Sequence, residues 1–295
     1  MAFARSSGVL MNISSLWGAY GIGGFGSEAL AFGQYLRQMG FTWWQILPLC
    51  PIGAGNSPYS GRSAFAINPL YVSPEMLAED GLLSTEELRA ARYPGGPYAT
   101  NYDFARESKP RLIRSAYSRF CRQAVSGQLL TEFEAQERFW LTDYANFMAH
   151  REANGQCPWW EWDPSIPPAD RNYYVFEQYI LSNQWESCKR QLNDLGIRIM
   201  GDMPIYVSRD SAEFWAHPEL FDTEGGTPTH VAGVPPDYFS ADGQLWGNPL
   251  YNWERMERDG YSWWVHRIRR SLELYDAVRI DHFRGFHRYW AVPAG

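Results

Sequence analysis

Cysteine is scarce in this chain: four residues in 295, Cys50, Cys121, Cys157 and Cys188, far apart and without a C-x-x-C spacing. That pattern excludes a disulfide-stapled fold, and the four are expected to be reduced, mostly buried thiols. The six histidines form no i, i+4 pair with them, so no zinc site and no metal are expected. Basic residues are also in short supply, 26 Lys and Arg against 33 Asp and Glu, a formal charge of -7. A nucleic acid or an anionic membrane needs a basic surface, so neither is expected as a partner. No segment approaches the roughly 18 consecutive apolar residues of a membrane span. The apolar run Val9, Leu10, Met11 near the start is too short for a secretory signal, and a cytoplasmic location is expected. Internal repeats and low-complexity tracts are absent as well.

Aromatic residues, in contrast, are abundant: 14 Trp, 18 Tyr and 16 Phe. Many must be core. Others sit in polar, Gly- and Pro-rich stretches such as "CPWWEWDPSIPP" and "GQLWGNPLYNW". Rings in such loops can stack on the C–H faces of sugars while polar neighbours bind hydroxyls.

Strand and helix patterns alternate along the chain. "GVLMNIS" (8–14) reads as a strand, and a helix follows with Ser27 as N-cap and Gly40 as terminator. "TWWQILPL" (42–49) is a second strand. Residues 50–171 show no strand pattern but two helical stretches, at 109–124 and 131–152. A βα connection is about 2–6 residues long, so this is an inserted subdomain. A helix is predicted over 173–196 and a strand over 197–207. An insertion rich in Gly, Pro and Asp covers 208–259. A helix at 262–275, with Trp264, Ile268, Leu272 and Tyr275 at helical spacing, leads to a strand at 277–283.

The domain organisation expected is therefore 1–49 for the first strands and helix, and 50–171 for the mostly helical insert. Residues 172–207 supply a helix and strand three, 208–259 a second insert, and 260–295 a helix and strand four. Near-continuous apolar strands alternating with helices predict an α/β fold with a parallel sheet. Both inserts follow strands, so both lie at the sheet's C-terminal end.

Several stretches carry chemistry. "GIGGFG" (21–26) has the letters of a dinucleotide fingerprint, but no strand immediately precedes it and no acidic residue ends the next strand. It reads as a glycine-rich loop entering a helix. Tyr59, among turn formers in "GNSPYSG", is either an ordinary loop tyrosine or a stacking platform. In "GDMPIYV", Asp202 ends an apolar strand, and a buried carboxylate needs donors, for which Arg279 is a candidate. In "RIDHFRG", Asp281 lies two residues from Arg279, whose charge favours the ionised carboxylate. The pair is either a structural ion pair or a nucleophile with its orienting cation. His282, beside the carboxylate, could bind hydroxyls.

Five blocks, "SGVLMNISSLWGAYGIGGFG", "WWQILPLCPIGAGNSPYSGRSAFAINPL", "GIRIMGDMPIYVSRDSAEFWAHPELF", "GVPPDYFSADGQLWGNPLYNW" and "AVRIDHFRGFHRYWAVPAG", resemble the 4-α-glucanotransferase family (amylomaltase, disproportionating enzyme) of the α-amylase clan. The resemblance implies an interrupted (β/α)₈ TIM barrel, of which about the first four βα units plus inserted subdomains are present. It implies a retaining double displacement through a covalent glycosyl-enzyme, passing part of an α-1,4-glucan to another glucan's 4-hydroxyl. Maltooligosaccharides and glucans derived from starch or glycogen would be its substrates, with no cofactor. Asp281 would be the nucleophile and Arg279 its orienting group. Asp202 would bind the donor sugar and Tyr59 stack on it, Ser57 and His282 would bind substrate, and Trp246, with Asp237 and Gln244 nearby, would belong to a flexible loop over the acceptor sites. Trp17 and Ala19 stand where the family commonly has prolines. The family's general acid/base glutamate, on its fifth strand, has no counterpart in these residues. The chain is thus expected to be an N-terminal portion, inactive alone, exposing two parallel sheet edges. Alternatives are a related retaining α-glucan hydrolase and a non-catalytic maltooligosaccharide-binding fragment.

Overall fold

A computed structural model describes residues 5–238 and 240–294. The first four residues of the N-terminal stretch, Phe239 of the expected acceptor loop and Gly295 lie outside the described residues.

Four short strands form the central sheet: β1 (Gly8–Leu10), β2 (Trp43–Gln45), β3 (Arg198–Met203) and β8 (Ala277–Ile280). They pair in the order β1-β2-β3-β8, all parallel. Each is shorter than its apolar run predicts. The run after β1 breaks into a 3-10 turn at Ile13–Ser15, and after β2 the chain leaves the ladder before Pro48. β1 and β8 each have one unpaired edge among the described residues, as expected, and Leu10 is exposed there.

Helices cover the sheet. α1 (Ser27–Gln38) starts one residue earlier than predicted: Gly26 is the N-cap and Ser27 is already helical. Gly40 (φ 82°) ends it, and Gly196 (φ 82°) ends α7 (Arg171–Asp194), both in the left-handed conformation that glycine adopts without a Cβ clash. Trp44 is fully buried in the core and its indole N–H donates to the Met11 carbonyl at 2.8 Å. The "GIGGFG" glycines serve packing: a Cβ on Gly23 would lie 2.1 Å from the Ile13 carbonyl oxygen.

The first insert is helical: α2 (Pro74–Glu79), α3 (Thr85–Ala90), α4 (Tyr102–Phe120), α5 (Ser126–Gln136) and α6 (Leu141–Ala153). α4 begins well before the predicted start and accommodates Pro110, while the single helix expected over 131–152 breaks between α5 and α6. Lys109 of α4 is buried, and its ammonium donates to the carbonyls of Leu70 and Val72.

The second insert holds α8 (Ala212–Ala216), the hairpin β4 (Thr223–Glu224) and β5 (Thr227–Pro228), β6 (His230–Val234), β7 (Gln244–Pro249) and α9 (Trp253–Arg258). β6 pairs antiparallel with both β7 and β9 (Trp290–Pro293). Within the expected acceptor loop, Gln244–Pro249 forms strand, because its backbone groups find partners in a three-stranded sheet.

α10 (Ser262–Leu274) corrects the sequence pattern most clearly. Ile268 and Leu272 face outward, and the buried side carries Trp263, Trp264, Arg267 and Arg270. The two guanidinium groups are tolerated there because each is bonded: Arg267 to the carbonyls of Pro204 and Ile205, Arg270 to Glu137. Among the cysteines, all four are free, but only Cys188 is a fully buried residue and Cys121 is exposed.

Candidate active site

The sheet's C-terminal end gathers the charged residues. Asp202 on β3 and Arg279 on β8 are direct register partners across the parallel pair. The Arg279 guanidinium spans two carboxylates, donating to Asp202 Oδ1 at 2.6 Å and to Asp281 Oδ1 at 2.5 Å. Asp202 is nearly inaccessible, at 1% of its side chain, whereas Asp281 is 36% exposed. One carboxylate is thus a buried anchor and the other is accessible. Desolvation opposes the charge on Arg279, but its bonds to Asp202 and Asp281 outweigh that and raise its pKa.

Tyr59 closes the arrangement. Its hydroxyl donates to Asp202 Oδ2 at 2.6 Å, so both Asp202 oxygens are engaged. Burial first, and then this bond to an anion, push the phenol upward, and it stays a donor. Enough of the ring remains exposed to act as a platform.

Asp281 follows β8 and is pinned by its own N–H donating to the Met203 carbonyl. His282 then takes the left-handed conformation (φ 50°, ψ 43°), which is uncommon for a residue with a Cβ and unfavourable by about 1–2 kcal/mol. This turn puts the imidazole beside Trp246, with ring centroids 5.0 Å apart and nearly perpendicular planes. Tyr59, Tyr206, Trp246, Asn248, Asp281 and His282 line a cleft of about 280 Å³. Asp281 and Asp202 are the carboxylates that line this cleft and the space beneath it among the described residues.

The remaining expected residues fall elsewhere. The Ser57 hydroxyl accepts from the Tyr59 N–H and shapes the turn. Gln244 accepts from the Trp246 indole at 3.0 Å, supporting that ring from the side. Asp237 lies exposed in the β6–β7 connection, accepting from the Ser240 N–H. None of these three lines the cleft. Five lining residues are not among the sequence candidates: Ser60, Pro204, Ile205, Tyr206 and Asn248. Tyr206 lies four residues beyond Asp202 in "GDMPIYV", close enough to the strand end to have been a candidate. Asn248 gives no such signal; its amide donates to the Val207 carbonyl at 2.8 Å. No cluster of His, Cys, Asp and Glu suited to a metal occurs among the described residues. No helix among them is long and apolar enough to cross a membrane.

A family model described as 4-alpha-glucanotransferase, of glycoside hydrolase family 77, matches residues 11–295. The chain belongs to the 4-α-glucanotransferase family. The 4-alpha-glucanotransferase of Aquifex aeolicus is 42% identical over 308 residues, covering 99% of this chain and 62% of the relative. That of Thermus thermophilus is 42% identical, covering 100% and 61%. The structure of the Streptococcus agalactiae amylomaltase in complex with acarbose superposes with a TM-score of 0.92 at 39% identity, over 99% of this chain and 62% of that one. The Corynebacterium glutamicum amylomaltase, at 22% identity and a TM-score of 0.79, agrees in fold. The chain therefore spans about three fifths of the curated 4-α-glucanotransferases it matches. Its four-stranded parallel sheet corresponds to part of their TIM barrel.

Proposed function

We propose that this chain carries the nucleophile side of a retaining 4-α-glucanotransferase site. The bridge Asp202–Arg279–Asp281 beside an aromatic cleft is the observation that carries the reading. Arg279 keeps an Asp281 oxygen oriented while the residue stays accessible, as attack on an anomeric carbon requires. Tyr59 and Trp246 offer faces for glucose rings, and His282 offers a hydroxyl partner. In the first step the Asp281 carboxylate forms a bond to C1, the bond from C1 to the departing glucan's O4 breaks, and that oxygen takes a proton. In the second, another glucan's 4-hydroxyl attacks C1, loses its proton and releases Asp281. Substrates are accordingly α-1,4-glucans such as maltooligosaccharides.

The proton must come from a carboxylic acid about 5–5.5 Å from the nucleophile. Asp202 is unsuited, since Arg279 and Tyr59 occupy both its oxygens. We assign the acid/base role to a group other than the carboxylates lining this cleft. Hence the 295-residue polypeptide is expected to bind maltotriose but to form no longer glucans from it. An α-maltosyl fluoride, whose leaving group needs no proton, is expected to release a burst of about one equivalent of fluoride. Maltotriose disproportionation by the polypeptide alone, or saturable fluoride binding with no burst, contradicts the assignment. A second reading, glucan binding without turnover, draws on the same lack of a free acid; a silent fluoride assay alongside measurable binding would favour it.

A further inference from the structure

We infer that Cys50 is a positioning residue for Tyr59. The inference rests on the reading of Tyr59 as a sugar platform. Tyr59 projects from the segment between β2 and the buried "SAFAIN" stretch, and its ring is too exposed for packing to fix its direction. Its tip is tied by the hydroxyl bond to Asp202. Its base is tied by Cys50, whose S–H donates to the Pro58 carbonyl at 2.9 Å, the peptide unit that leads into Tyr59. Burial pushes that thiol up to about 12, so it remains a protonated donor.

The same sulfur also meets the chain after Tyr59. A Cβ on Gly61 would lie 2.5 Å from Cys50 Sγ, so only glycine lets the two strands of the loop close on it. The bridge between Ile52 and Gly61 and the bond from Arg62 N–H to the Pro51 carbonyl complete the neck of the loop. Cys50 thus touches the backbone on both sides of the platform, within the same neck.

The test is a double-mutant cycle on maltoheptaose affinity, together with a ligand-free measurement. Cys50→Ala is expected to weaken binding about 3–10-fold, the range set by losing one net hydrogen bond. Cys50→Ser, which keeps an O–H donor, is expected to recover most of it. In a Tyr59→Ala background, Cys50→Ala should have no further effect, because its influence runs through that ring. The ligand-free readout is the Tyr59 resonance of ring-labelled protein, assigned with Tyr59→Phe. It should broaden or split in Cys50→Ala and sharpen again in Cys50→Ser. An unchanged resonance in Cys50→Ala overturns the inference whether or not glucan binds. So does an equal affinity loss in both backgrounds. Failure of the unaltered protein to bind maltoheptaose, with the resonance responding as described, refutes the sugar-platform reading and leaves Cys50's positioning of the ring in place.

Discussion

Two regions of the molecule hold charges in opposite ways. In the helical insert and its seam with α7, Lys109, Arg151 and Glu177 are buried. Arg151, 5% exposed, forks onto both oxygens of Asp210 and also donates to the Gln156 carbonyl. Glu177 is enclosed among Tyr144, Gln178, Arg114 and Glu152, and burial first of all pushes its carboxyl up to about 7. At the end of the sheet, Arg279 reaches one buried and one accessible carboxylate, and the accessible one borders an open cleft. Enclosed, paired charges tie elements together. A charge chain with one accessible end, beside a left-handed turn at His282, borders a cleft instead.

The largest expected effect separates the regions outright. Asp281→Asn should slow fluoride release by about 10⁴-fold or more and leave the melting temperature nearly unchanged. A substitution of the same size on α7, Glu177→Gln, should do the reverse. The Glu177 carboxyl is raised in the folded state above its unfolded value of 4.5, so the folded state holds a proton that the unfolded state releases. Stability should therefore fall as pH rises between 4.5 and 7, by up to about 3 kcal/mol. Glu177→Gln should flatten that decline in denaturant titrations across the interval, with the burst unaffected. A steep decline retained in the variant assigns the effect to other groups.

Arg279→Met tests whether the bridge belongs to both classes. It strands the buried Asp202 carboxylate, which should lower stability by about 2–3 kcal/mol, since breaking a buried pair is expensive but Arg279 is itself half-exposed. It should also slow the burst. Loss of the burst with unchanged stability means that Asp202 finds another donor. The smallest effect is expected at Trp246→Ala: maltoheptaose binding weakened about 5–20-fold through lost apolar contact, at unaltered stability. Equal affinity takes Trp246 out of the binding surface.

Much of this was legible in the sequence, for physical reasons. The four strands, three covering helices and two inserts follow from apolar periodicity and from glycines at 40 and 196. Asp202, Arg279 and Asp281 were readable because a carboxylate at the end of an apolar strand demands a donor. The ends of elements were not, since strand pairing stops where the next loop turns away, which depends on distant partners. α10 misled for a similar reason: Arg267 and Arg270 look like a solvent face, yet carbonyls and Glu137 from other elements take up their donors. Asp237 and Gln244 were placed by resemblance alone, and Ser57 too; local turn and strand geometry direct their bonds to neighbours. Cys50 gave no signal at all, because its partner carbonyl lies within a loop whose closure no periodicity records.

The central claim is that Asp281, oriented by Arg279, is the group that bonds to the anomeric carbon. A 5-fluoro-α-glycosyl fluoride, which forms the ester quickly and loses it slowly, tests it most directly through peptide mass spectrometry of the labelled chain. One added sugar is expected on the peptide containing "RIDHFRG", localised to Asp281 and absent from Asp281→Asn. A sugar found on another residue, or undiminished labelling of Asp281→Asn, contradicts it.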